Sequence, residues 1–272
     1  MKKFVLAIIA LSGALATMAQ TDSTSQRADT VRVGGMIIIK KKGPIGEDLK
    51  DVEIKKDTKR SKVSTNWGIV DLGFANFRDQ SNYAAAQASG FTGAGIGKDQ
   101  FDLRTGKSIN VNIWFVMQRV SLIKRAVNLK YGLGLELNNY RFDDERVRLH
   151  KSAPTVTLDQ SLDGVHKNKL AADYLTVPMM LDFNFTPKRK KGFGLAAGVS
   201  AGYLYSSRQK IKDGGDTDKL HDNFDLRKFK LAYVGELSLG AIRFYGSYAM
   251  KSMWEKGLDQ TPYTVGLRLS SW

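Results

Sequence analysis

Val127-Asn128-Leu129-Lys130-Tyr131-Gly132-Leu133-Gly134-Leu135-Glu136-Leu137-Asn138 is strictly two-periodic. Val127, Leu129, Tyr131, Leu133, Leu135 and Leu137 fall on one side; Asn128, Lys130, Gly132, Gly134, Glu136 and Asn138 fall on the other. Alternation over this length describes a strand with one apolar and one polar face. An amphipathic helix would instead repeat its apolar positions at three and four residues. Seven further stretches carry the same beat, at 67–77, 109–117, 175–185, 193–205, 229–239, 242–250 and 263–269.

Alternation alone fits a soluble sandwich as well as a membrane barrel. Three features favour the barrel. The charges within the stretches all take the polar side: Asp71, Lys130, Glu136, Asp182, Lys230, Glu236, Arg243 and Arg268, four acidic and four basic. A polar side facing water needs no such balance, whereas charges pointing into a narrow barrel must be paired. The same side is rich in Gly and Ser, as a bore just wide enough to be filled by side chains requires. The gaps also alternate. Those at 78–108, 143–173, 206–228 and 251–262 are long, while those at 118–126, 186–192 and 240–241 are short. Long loops on one side and short turns on the other is the outer-membrane arrangement, and an even strand count leaves both barrel ends in the periplasm. The expected fold is all-β, an eight-stranded antiparallel transmembrane β-barrel over 67–272. Pro178, which cannot donate to a ladder, predicts a β-bulge.

Upstream, Met1-Lys2-Lys3, an apolar run at 4–15 and small residues Thr17 and Ala19 read as a signal peptide over 1–19. That run is too short to span a bilayer. The expected mature chain begins with a basic periplasmic segment, 20–66, in which Met36-Ile37-Ile38-Ile39 is a short β-prone run closed by Lys40, Lys41 and Lys42. Residues 43–64 read as a linker. The β-prone run suits either a plug against the barrel floor or addition to a partner's sheet edge. The chain has no cysteine, which excludes disulfides and thiolate metal sites.

Tyr174-Leu175-Thr176-Val177-Pro178-Met179-Met180-Leu181 resembles a strand of the PorT-like group of outer-membrane β-barrel proteins common in Bacteroidetes. Trp67-Gly68-Ile69-Val70-Asp71-Leu72-Gly73-Phe74 is similar to that group's first strand. The run Asp29-Thr30-Val31-Arg32-Val33-Gly34-Gly35-Met36-Ile37-Ile38-Ile39 is similar to a segment that precedes some of these barrels. The resemblance implies an outer-membrane location and a barrel fold. Some members of the group assist type IX secretion, so it also admits an accessory role in an envelope assembly.

The net charge of +15 includes Lys2 and Lys3, which leave with the leader. Counted by loop, the excess falls at the short-turn end. Residues 20–66 hold 11 basic and 7 acidic side chains, the first turn adds Arg119, Lys124 and Arg125, and the second adds Lys188, Arg189, Lys190 and Lys191. The long loops are close to balance. This basic periplasmic face suits anionic lipid headgroups or an acidic envelope partner. Nucleic acid is excluded by compartment.

No motif points to a cofactor or a reaction. Gly93-Ala94-Gly95-Ile96-Gly97-Lys98 lacks the phosphate-loop spacing and reads as a flexible outer loop. Asp213-Gly214-Gly215-Asp216-Thr217-Asp218 has the flavour of a calcium loop, but Phe224 stands where an EF-hand needs glutamate. His150 and Ser152 are neighbours without a third group to orient them. The residues thus support two main readings: a structural or interaction protein, with small-solute transport as the alternative. A lipid-modifying enzyme ranks third.

Overall fold

The computed structural model describes residues 61–187 and 192–269, together with the backbone of three earlier strands. The leader, Lys188 to Lys191 and Trp272 lie outside the described residues. The chain divides into two units, Met1–Arg60 and Ser61–Trp272.

In the first unit, β1 (Thr30–Val33), β2 (Met36–Lys40) and β3 (Val52–Lys56) form an antiparallel meander. Val31 pairs with Ile38, and Ile38 with Ile54. The linker expectation for 43–64 is therefore corrected, since β3 falls inside it. Val52 and Ile54 alternate with charged neighbours, so the strand period there is hidden by polar composition.

The second unit is built on a ring. Its strands are β4 (Val63–Asp79), β5 (Ile109–Ile123), β6 (Val127–Arg141), β9 (Lys167–Asn184), β10 (Phe193–Asp213), β12 (Phe229–Leu239), β13 (Ile242–Ala249) and β14 (Gln260–Arg268). Each contains or closely matches one two-periodic stretch. Around the ring the order is β10-β12-β13-β14-β4-β5-β6-β9, and β9 pairs back onto β10. All contacts are antiparallel, and the ends of the unit meet through pairs such as Leu72 with Leu267 and Asp71 with Arg268. Closure leaves no strand edge unpaired, which is what a sheet surrounded by lipid requires. The outward side chains remain exposed apolar groups, among them Leu72, Phe74, Leu175, Val177, Leu195, Leu231 and Val265.

Local chemistry shapes the wall. Gly73 and Gly266 face each other across β4 and β14, and a Cβ on either would lie 2.5 or 2.6 Å from the Tyr245 ring or hydroxyl. Glycine at both positions leaves room for the Tyr245 side chain and for the facing backbone, whose oxygens at Val265 and Leu72 would lie 2.4 and 2.3 Å from the two Cβ atoms. The β5–β6 turn is tighter than the 118–126 gap predicted: Ala126 N–H donates to the Ile123 carbonyl, and Lys124 and Arg125 both adopt positive φ, 41° and 62°. Pro178 forms no bulge. It pairs in register with Ser200, and the β6–β9 register is the same on either side of it. The ladder to β6 simply omits the rungs beside the proline, whose missing N–H needs no extra residue. The bulges sit instead where Phe115 and Leu122 interrupt β5 against β6 and Tyr205 interrupts β10 against β9. An inserted residue changes the parity of the residues beyond it. Past Phe115, Met117 and Arg119 therefore turn inward.

Beyond the ring, the long loops fold rather than dangle. Helix α1 (Tyr83–Ala88) is capped by Asn82, whose side chain accepts from Ala85 N–H at 3.0 Å. β7 (Val147–Leu149) and β8 (Val156–Leu158) form a hairpin, and β11 (Asp216–His221) extends β10 outward. Phe91, Phe101, Phe142, Leu226, Met253 and Trp254 pack into one buried cluster with Tyr140, Leu170 and Tyr174 from the strand ends. Phe91 meets Trp254 edge-on at 5.6 Å, and Phe101 meets Phe142 likewise at 5.9 Å. The flexible reading of 93–98 is corrected accordingly. Ile96 is buried and Gly93 N–H donates to Val156 at 2.8 Å, so apolar residues inside a glycine-rich stretch anchor it. Burial, and then the hydrogen bond it donates to Asp79, pushes the Tyr83 phenol above its ordinary pKa.

Candidate functional site

The inward face holds a connected charged network. Arg268, directly opposite Asp71, donates to both of its carboxylate oxygens at 2.6 and 2.9 Å. Its remaining nitrogen donates to Glu236 at 2.6 Å. Glu236 also accepts from Lys130, and Glu136 accepts from Lys230. These two lysine pairs join β6 to β12 across the bore, with β9 and β10 lying between them in the wall. The Lys230 ammonium lies 4.5 Å from the centre of the Tyr174 ring. Asp71, Lys130, Glu136, Lys230, Glu236 and Arg268 are all buried.

Uncharged partners complete the set. Trp114 Nε1 donates to Asp71 at 2.7 Å, and Asn112 reaches the same carboxylate at 3.4 Å. Asn138 donates to Glu136 at 3.0 Å, and Asn110 donates to Asn138 at 2.9 Å. These groups were visible to sequence reasoning only as polar-side residues of β5 and β6. That they would meet Asp71 and Glu136 depends on the register. Buried carboxylates with their lone pairs occupied in this way are tolerated, whereas a single missing partner is costly. Below the network, Ile69, Trp114, Met117, Met180 and Ala196 form an apolar cluster, with Val234 packed against it. Side chains therefore fill the bore at the charged level and at the apolar level, and the loop core lies beyond Tyr174.

The expected basic face divides. Arg119 does not belong to the turn. It lies on β5, where the Phe115 bulge aims it inward to an ion pair with Asp182 at 3.2 Å. Asp182 also accepts from Asn128 at 2.9 Å. Arg243 is half-buried on β13 near the same end of the bore. Lys124 and Arg125 occupy the β5–β6 turn, and the quartet Lys188, Arg189, Lys190 and Lys191 lies outside the described residues.

The outer motifs are dispersed. Asp213 and Asp216 flank the Gly214-Gly215 turn of the β10–β11 hairpin, and both are exposed. His150 Nε2 lies 2.7 Å from Thr157 Oγ1, and Ser152 is exposed. Among the described residues no group of three His, Asp or Glu side chains converges to hold a metal.

A closed antiparallel ring, apolar outside and charged inside, defines a transmembrane β-barrel. The chain belongs to the outer membrane protein beta-barrel domain family, whose model matches residues 60–251. It is thus an integral protein of the bacterial outer membrane. No curated protein matches the chain.

Proposed function

We propose that this protein is a closed, non-conducting barrel that serves as a membrane-embedded interaction subunit. Its N-terminal segment and short turns lie in the periplasm, and its long loops face outward. The observation that carries the reading is the filled bore, where Lys130–Glu236 and Lys230–Glu136 tie β6 to β12 across the interior. Water and small solutes need a continuous polar path, and the Met117–Met180 cluster interrupts one. The same observation weighs against small-solute transport. Lys124, Arg125 and Lys188 to Lys191 supply basic charge for an acidic envelope partner. The resemblance of the Tyr174 strand to PorT-like barrels agrees with an accessory place in a secretion or envelope assembly. No enzymatic activity is proposed.

Planar-bilayer recording of the pure protein tests closure: stable ion steps would refute it. In-cell crosslinking tests the partner. Charge reversal of Lys188 to Lys191 is expected to deplete co-purifying periplasmic proteins, and an unchanged set would count against the basic docking face.

A further inference from the structure

Charge counts leave the long loops near neutrality, but the folded strands sort their charges by side. β6, β9, β10 and β11 all run beyond the tyrosine level, and their outward residues line up in cross-strand rows. Arg141 pairs with Lys169, Lys169 with Lys210, and Lys210 with Lys219. One row thus carries a cation on each of four adjacent strands. The next row outward pairs Lys167 with Lys212, and Arg208 stands one rung below Lys210. The intervening residues Tyr140, Leu170, Asn168 and Gln209 are buried on the other side, which fixes the cations as outward.

Like charges directly opposite each other on a sheet are destabilising, and here little offsets them. Arg208 pairs with Asp173 at 2.5 Å. Among the described residues, Lys167, Lys169, Lys210, Lys212 and Lys219 form no ion pair with a carboxylate. Lys169 donates to the Asn139 amide, and Arg141 donates to the His166 carbonyl. The surface calls for an external anion carrying several negative oxygens.

The wall below the cations decides which anion. Tyr203, Tyr205, Leu175 and Val177 are exposed on the same strands just beneath them. Tyrosine marks the interfacial level of an outer-membrane barrel, and apolar wall below it faces acyl chains. A ligand matching both parts has phosphates above and acyl chains below. We propose that the outward face of β6, β9, β10 and β11 is a binding site for a phosphorylated acyl-glycolipid of the outer leaflet, of the lipid A class. Its phosphates sit among Arg141, Lys169, Lys210 and Lys219, and its chains run down past Tyr203 and Leu175. The outer-leaflet assignment rests on the proposed orientation, with the long loops outside the cell.

Native mass spectrometry of the detergent-purified full-length protein, titrated with bisphosphorylated lipid A, tests the site. Bound lipid is expected. The K169Q/K210Q/K219Q variant is expected to bind about tenfold more weakly or worse, since each lysine lost beside an anionic headgroup weakens the attraction several-fold. K169R/K210R/K219R is expected to restore binding. K212Q/K219Q touches only the outermost lysines and keeps the test open if the triple variant does not fold; it is expected to bind measurably more weakly. Equal binding by the glutamine variants, or by enzymatically dephosphorylated lipid A, would overturn the proposal. So would equally tight binding of a phosphorylated polysaccharide without acyl chains, which would assign the surface to a soluble polyanion. The orientation is tested separately by protease access to the 213–216 hairpin tip in intact cells. Binding in vitro without such access would refute the orientation and leave the lipid site standing.

Discussion

Replacing Arg268 with methionine removes the hub of the interior network while keeping comparable volume. Three charge-assisted hydrogen bonds disappear, at 2.6, 2.9 and 2.6 Å. Such bonds contribute about 1.5–3 kcal/mol each, so the gross loss is large, but burial of the guanidinium no longer has to be offset. Breaking one side of a buried pair costs about 3–5 kcal/mol net, because the carboxylates stay buried. Glu236 keeps Lys130, so most of the penalty falls on Asp71, which among the described residues retains Trp114 and Asn112 as side-chain donors. R268M should therefore lose about 3–5 kcal/mol, and R268M/D71N should recover a substantial part, because asparagine can still accept from Trp114. R268K keeps the charge without the fork and should fall between wild type and R268M. Urea unfolding of vesicle-inserted protein, monitored by tryptophan fluorescence and heat-modifiable gel mobility, gives the free energies. The reasoning fails if R268M is as stable as wild type, or if adding D71N makes it worse.

The turns, the glycine contacts and the loop core each give a further expected outcome. The K124N/R125G variant places residues that tolerate positive φ in the β5–β6 turn and is expected to stabilise the barrel by about 1 kcal/mol in the same unfolding assay. G266A and G73A each drive a Cβ to within 2.4 Å of backbone oxygen and should abolish the folded gel band, while G246A, whose Cβ would lie 3.4 Å from the nearest atom, should keep it. W254A removes a side chain 1% exposed at the centre of the loop core; large-to-small truncations of this kind cost about 3–5 kcal/mol. Because that core lies outside the ring, limited proteolysis should cut the long loops of W254A quickly while the strands stay protected.

The strands were legible because lipid and a narrow bore both act on single residues. Every second side chain is forced apolar or forced polar, and Leu129, Lys130 and Tyr131 carry that rule in their order. Pro178 departs from the expected bulge because a missing N–H demands no inserted residue: the ladder to β6 leaves its rung unmade. Arg119 departs from its turn assignment because of the Phe115 bulge: Trp114, Phe115, Val116 and Met117 are all apolar, so the alternation lapses there without marking which residue is extra, and the β6 pairing identifies it. The loop core was missed for a related reason. Phe91, Phe101, Phe142 and Trp254 are too widely spaced to show a period, and they meet only once the strands bring their loops to one end.

Charge divides along the same line. Parity along the chain was enough to place Asp71, Lys130, Glu136, Asp182, Lys230, Glu236, Arg243 and Arg268 on the polar side of their strands, but not to place Arg119, which a bulge turns inward. Loop lengths and charge parity pointed to a barrel, and the β4–β14 pairing closes it. Who pairs with whom emerges from the folded ring, because Lys130 reaches Glu236 across 106 residues. The fold alone aligned Arg141, Lys169, Lys210 and Lys219 as well. The long loops are close to balance by count, and cross-strand register, a property of paired chains rather than of any one segment, gathers their cations into one surface.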